Sequence, residues 1–154
     1  MRFALLFAFV LATSTARAQT GVALTFGGSV SFAAPTPADY AAGTEEAAGP
    51  LSFEVETSTE PSGSFTTTVR IRSSSATLGG GKAVGDMEWR RGDDPTWHTL
   101  TTSDVVVESR IAEGAPEGRT WDNTIHFRIA LHWTTDPPAT YTANLVLTVS
   151  TTQP

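Results

Sequence analysis

Apolar and polar residues alternate along most of this chain with a period of two. From Ile125 to Trp133 the odd positions are Ile125, Phe127, Ile129, Leu131 and Trp133, and the even ones His126, Arg128, Ala130 and His132. From Tyr141 to Ser150 the pattern returns, with Tyr141, Ala143, Leu145, Leu147 and Val149 on one side. Successive side chains of a strand point to opposite faces, so this alternation marks strands with one buried face. Asp136-Pro137-Pro138 stops the ladder between them, and the two segments are expected to form a hairpin.

A second hairpin is expected from Leu51–Ser58 and Phe65–Ser73, turning through "TEPSGS", with Glu54 and Glu56 facing Arg70 and Arg72 on its outer side. A third joins Met87–Arg90 to Thr96–Leu100 through "RGDDP". Asp104–Ser109 reads as a further strand, followed by an irregular stretch running to Asn123. Short strands punctuated by Gly/Pro turns, with almost no helical periodicity, predict an all-β fold. The expected architecture is an antiparallel Ig-like β-sandwich of Greek-key type with roughly seven to nine strands.

The first residues are different. Arg2, the apolar run Phe3–Ala12 and the small-x-small triplet Ala16-Arg17-Ala18 form the pattern of a secretory signal peptide, residues 1–18. That run is about half the ~20 residues of a spanning helix, so no membrane insertion is expected. A mature chain of residues 19–154 suits one domain large enough to hold a core without cross-links. Cysteine is absent, which removes thiolate metal sites, redox chemistry and cysteine nucleophiles. The expected location is extracellular, at the cell surface, or in the periplasm.

Residues 19–33 form an N-terminal strand segment in which Val22, Leu24, Phe26, Val30 and Phe32 share one parity. Residues 34–50 follow as an Ala/Gly/Pro-rich linker or long loop, and 51–154 as the sandwich body. A strand set apart by a loose segment either opens its own sandwich, bending at Gly27-Gly28, or inserts into a neighbouring subunit's sheet. Those five residues are therefore the candidate assembly strand.

Ten Lys/Arg face sixteen Asp/Glu, and without Arg2 and Arg17 the mature net charge is −8. There is no basic stripe and Lys82 is the only lysine, so nucleic acid is a poor partner. His126 and His132 stand six residues apart, about 20 Å on an extended strand, too far to share one metal ion. Trp89, Trp97 and Trp133 fall on apolar parities and are expected in the core, while Trp121 sits in the loop before the strand. The "RGDD" tip and the loop "EGRTWDN" offer an alternative binding surface, with Trp121, Arg91 and Asp93 as its candidate residues. "LGGGKAVG" lacks the GK[ST] ending of a phosphate loop and reads as a flexible loop. No nucleophile elbow or zinc-protease motif occurs, so neither an enzyme nor a cofactor is expected.

The closing segment "WTTDPPATYTANLVLTVS" resembles the last hairpin of bacterial Ig-like and pilin-like secreted domains. In size, signal peptide and Thr-rich strands the chain is also similar to the spore-coat-U-like proteins. The resemblance implies a fold and a secreted habit, and transfers no functional residue. The expected role is thus a structural or assembly one at the cell surface, a pilin-like subunit exchanging its N-terminal strand with another copy or another surface protein. The alternative is an extracellular module that binds carbohydrate or protein.

Overall fold

The computed structural model describes residues 22–26, 28–57, 64–113 and 119–152; the signal segment 1–18 lies outside them. In chain order the elements are β1 (Val22–Phe26), β2 (Ser29–Phe32), α1 (Pro37–Ala42), β3 (Thr44–Glu46), β4 (Leu51–Thr57) and β5 (Ser64–Ser73). They continue with β6 (Met87–Arg91), β7 (His98–Thr99), β8 (Val105–Glu113), β9 (Arg119–Ala130) and β10 (Tyr141–Thr152). One sheet runs β1-β4-β9-β6-β7, with β3 also on β9, and the other runs β2-β10-β5-β8. Every pairing is antiparallel. The protein is an all-β sandwich.

The core lies where the buried parities of the two sheets meet. Phe53, Val55, Val69, Ile71, Met87, Ile125, Phe127, Ile129 and Tyr141 are all fully buried. Burying one such side chain is worth about 1.5–3 kcal/mol, and together they offset the entropy of ordering the chain.

Two of the three expected hairpins are not formed. β4 and β5 lie in opposite sheets, as do β9 and β10, so neither pair forms a ladder. Period two reports which face is buried, and a strand satisfies it equally in either sheet. The expected pairing of Glu54 and Glu56 with Arg70 and Arg72 is lost with the hairpin. Glu54 stands between Thr25 and Asp122, and Glu56 between Ala23 and Thr120. Arg72 instead meets Asp104 at 3.4 Å. The third hairpin is present, with Glu88 opposite Thr99 and Trp89 opposite His98. β9 begins at Arg119, so Thr120–Asn123 are strand and not loop.

The N-terminal segment switches sheets. Leu24 and Phe26, half-buried, sit on β1 against β4; past Gly28 the chain joins β10, where Val30 and Phe32 enter the core. Residues 34–50, expected as a linker or long loop, are docked and structured. Thr36 caps α1, accepting the Asp39 N–H while the Asp39 carboxylate accepts the Thr36 N–H at 2.8 Å. Pro37 opens the helix and Gly43, at φ 74°, ends it. The "LGGGKAVG" loop is a closed turn: Gly80 and Gly81 take φ values of 88° and 86°, and Gly79 pairs with Thr142.

Candidate functional site

Three stretches with no periodic pattern meet at one end of β9. The Leu131 N–H donates to the Gly43 carbonyl at 2.9 Å, and β3 pairs with the end of β9, which brings α1 against the turn that follows Leu131. In that turn Trp133 is 62 % exposed, because β9 ends at Ala130 and its inward parity lapses there. The indole lies flat on the buried Tyr40 ring, centroids 4.4 Å apart and planes at 23°. Beside it opens a cavity of about 230 Å³ lined by Pro35, Pro37, Tyr40, Trp133, Asp136 and Pro138. Prolines carry no N–H, so half of the lining residues have no donor to offer.

The turn is fixed from below. The Lys82 ammonium, only 2 % exposed, donates to Asp136 at 2.7 Å and lies 3.2 Å from Asp86. The His132 N–H donates to the same Asp136 oxygen at 2.7 Å, and the Tyr40 hydroxyl donates to the Asp136 carbonyl at 2.8 Å. Tyr141 donates to the Pro137 carbonyl at 2.5 Å. Burial works against both charges, yet the hydrogen bonds prevail: Lys82 is held above its ordinary pKa by Asp136 and Asp86, and Asp136 below its own by Lys82 and the His132 N–H. The only lysine in the chain is therefore committed to shaping this wall, and the Asp136 carboxylate is largely spoken for.

Trp121, Arg91 and Asp93 come together elsewhere. A bulge in β8 opposite Val69 and Arg70 turns both Val107 and Glu108 inward, where strict alternation would send one of them out. The buried Glu108 carboxylate pairs with Arg110 and lies 4.0 Å from Arg91, and Asn123 donates to it at 3.4 Å. Arg91 also meets Asp93 at 3.0 Å, and Arg110 lies over the Trp121 ring at 5.3 Å. Trp121 is half-buried on β9, with its indole N–H unpartnered. The "RGDD" tip is tied down as well, since the Gly92 N–H donates to the Thr124 carbonyl at 2.9 Å. Two arginines against two carboxylates make a neutral clamp across the two sheets, with Arg91 and Asp93 turned toward one another.

The remaining candidates are dispersed. Trp89 is core, and Trp97 is half-buried with Arg90 and Arg128 over its ring at 5.1 and 4.4 Å. His98 rests against Trp89, His126 is opposite Arg90, and His132 is exposed in the turn. Among the described residues no group of three or more His, Asp and Glu side chains is placed to hold a metal ion. Among them, too, no helix is long and apolar enough to cross a membrane.

Sequence reasoning missed Tyr40, Trp133, Asp136 and Lys82 as one site. A signal was present in "TPADYAAG", where a capping Thr, Pro at the first turn, Asp three residues on and a closing Gly spell a short helix. No family model, no curated protein and no solved structure matches this chain.

Proposed function

We propose that this protein is a non-catalytic extracellular binding module that grips a protein or peptide partner at the Trp133–Tyr40 cavity. The observation that carries the reading is Trp133 itself, a large ring 62 % exposed yet held rigidly on a buried Tyr40 beside an apolar hollow. Exposed, preorganised aromatics next to a pocket are the usual anchors of protein recognition. At about 230 Å³ the cavity falls below the ~300–1,000 Å³ of small-molecule sites, and it suits one apolar or proline side chain. A glycan fits less well. Tyr40 covers one face of the indole, no second ring among the described residues lines the hollow beside them, and the three prolines offer no N–H to hydroxyls.

The test is selection of a displayed random-peptide pool on the mature chain, run beside an array of neutral glycans, each repeated with Trp133→Ala. Peptides sharing an apolar or proline anchor, bound by the wild type and weakened about tenfold or more by the variant, support the reading. Glycan binding that depends on Trp133 would transfer the site to carbohydrate. Ligands indifferent to Trp133 would end it.

One observation favours a structural role by strand exchange. Among the described residues β1 pairs on one side only, at the margin of its sheet, and Leu24 and Phe26 are half-buried, so it is the part of Val22–Phe32 that leaves at least cost. Val30 and Phe32 are core and resist removal. A chain starting at Ala34 that remains a folded monomer while the full mature chain forms large species would favour exchange.

A further inference from the structure

The last strand has a flank that is unpaired over its second half, although β1 of the other sheet runs close by. β10 pairs with β2 over Tyr141–Asn144 on one side and with β5 over Leu145–Thr152 on the other. Beyond Leu145 the β2 side of β10 has no partner among the described residues. The orientation of its free groups follows from one bond. The Leu145 N–H donates to the Gly28 carbonyl at 2.8 Å, so odd positions of β10 point their N–H and C=O toward this flank. In an antiparallel ladder both groups of a residue point the same way and alternate along the strand. Leu147, Val149 and Thr151 therefore present unpaired N–H and C=O groups in a row.

Natural sheets blunt such edges with lysine, proline, inward charges or a bulge. This one has none of them. β10 reads YTANLVLTVSTT, and the adjoining strands β1 and β2 read VALTF and SVSF, without a charged residue or a proline in any of the three. The opposite margin of the same sheet, β8, carries Glu108, Arg110 and Glu113. In a chain of net charge −6 this side is where two copies approach with least repulsion.

We propose that the β10 flank is a homodimer interface, in which β10 of a second copy pairs antiparallel with this one and joins the two four-stranded sheets into one. A strand paired with its own copy about a two-fold axis repeats every contact, so the edge needs no other complement. Leu147 and Val149, already packed against the core, would meet their counterparts at the seam between the sheets. This assembly is independent of the Trp133 cavity, and it exchanges no strand.

Sedimentation equilibrium of the mature chain tests it, with Val149→Pro as the disabling variant. That proline removes one outward N–H and leaves the ladder to β5 intact, because even positions serve that ladder. Circular dichroism checks that the variant is folded. Should it fail to fold, Ser150→Lys places a charge at the same edge and takes its place. The absence of native cysteine allows a second readout: single Thr148→Cys, Ser150→Cys and Thr152→Cys chains under mild oxidation, with Thr68→Cys one strand inside as control. The expected result is a dimer, weakened about tenfold or more by the folded variant, with at least one β10 cysteine cross-linking well ahead of the control. A mature chain that is monomeric at every concentration overturns the proposal. So does a dimer that survives the edge variants and yields no cross-link through β10.

Discussion

Replacing Lys82 with methionine tests whether the wall beneath Trp133 is held by its ion pair. The side chains of Lys82 and Asp136 are 2 % and 8 % exposed, and the charges are 2.7 Å apart. Removing one partner of a buried pair leaves the other uncompensated and costs about 3–5 kcal/mol. Two features soften the loss. Asp136 keeps the His132 N–H, and Asp86, 41 % exposed, returns to water at little cost. The expected destabilisation is therefore about 2–4 kcal/mol, a large part of the ~5–15 kcal/mol that holds an ordinary domain. Urea unfolding followed by circular dichroism measures it, and Trp133 emission reports whether the turn loosens first. Adding Asp136→Asn removes the stranded charge, so the double variant should recover at least ~1 kcal/mol relative to the sum of the two singles. A Lys82→Met cost under ~0.5 kcal/mol, or strict additivity of the two changes, would refute the reasoning.

The glycine turn offers a contrast between two similar positions. A Cβ at Gly80 would meet the Tyr141 ring at 2.9 Å and the Thr140 carbonyl at 3.0 Å, while one at Gly81 meets open space, and both positions have positive φ. Gly81→Ala should cost about 1–2 kcal/mol for the backbone alone and Gly80→Ala clearly more, as thermal unfolding will show. In the core, Phe32→Ala is expected to lose about 3–5 kcal/mol and Trp133→Ala no more than ~1 kcal/mol, which separates a packing residue from a binding one by denaturation alone. With pH, Asp136 sits below its ordinary 3.8, so its contribution is complete above pH 3.8 and fades as pH falls through the lowered value. Lys82 sits above its ordinary 10.5, so its share is complete below pH 10.5 and is lost as pH rises through the raised value. Glu45 works the other way, raised above 4.5 by burial and then by Asp39, so its protonation in acid relieves strain. Urea midpoints across the pH range should therefore fall at both extremes, and Lys82→Met should flatten both falls.

The strands were legible because alternation is a direct image of a half-buried sheet. Val55, Ile71, Phe127 and Tyr141 all lie on the apolar parity of their strands and are all buried. Partners were not legible, since the same parity serves either sheet and only the connection decides. "RGDDP" is short enough to return the chain into the same sheet, whereas Leu131–Thr140 holds a turn and two prolines, and it carries the chain into the other sheet. Trp133 misled for a related reason. It continues the parity of Ile125–Leu131 in sequence, but the ladder that gives parity its meaning has already ended at Ala130.

Both proposed surfaces lie where the periodic pattern stops or goes unanswered. The cavity is lined from residues 35–40 and 133–138 and braced by Lys82, none of which belongs to a regular strand, and the sheets serve only to bring those segments to one place. The β10 flank is the converse: a perfectly regular strand whose ladder continues past its last neighbour. A sandwich closes its interior by matching two buried faces, and this places the inward apolar side chains without constraining the edges or the ends. Selection for stability acts on the first, which is why the core follows from the sequence pattern. The ends and the open edge carry no such demand, so the alternation that specifies the core does not specify their residues.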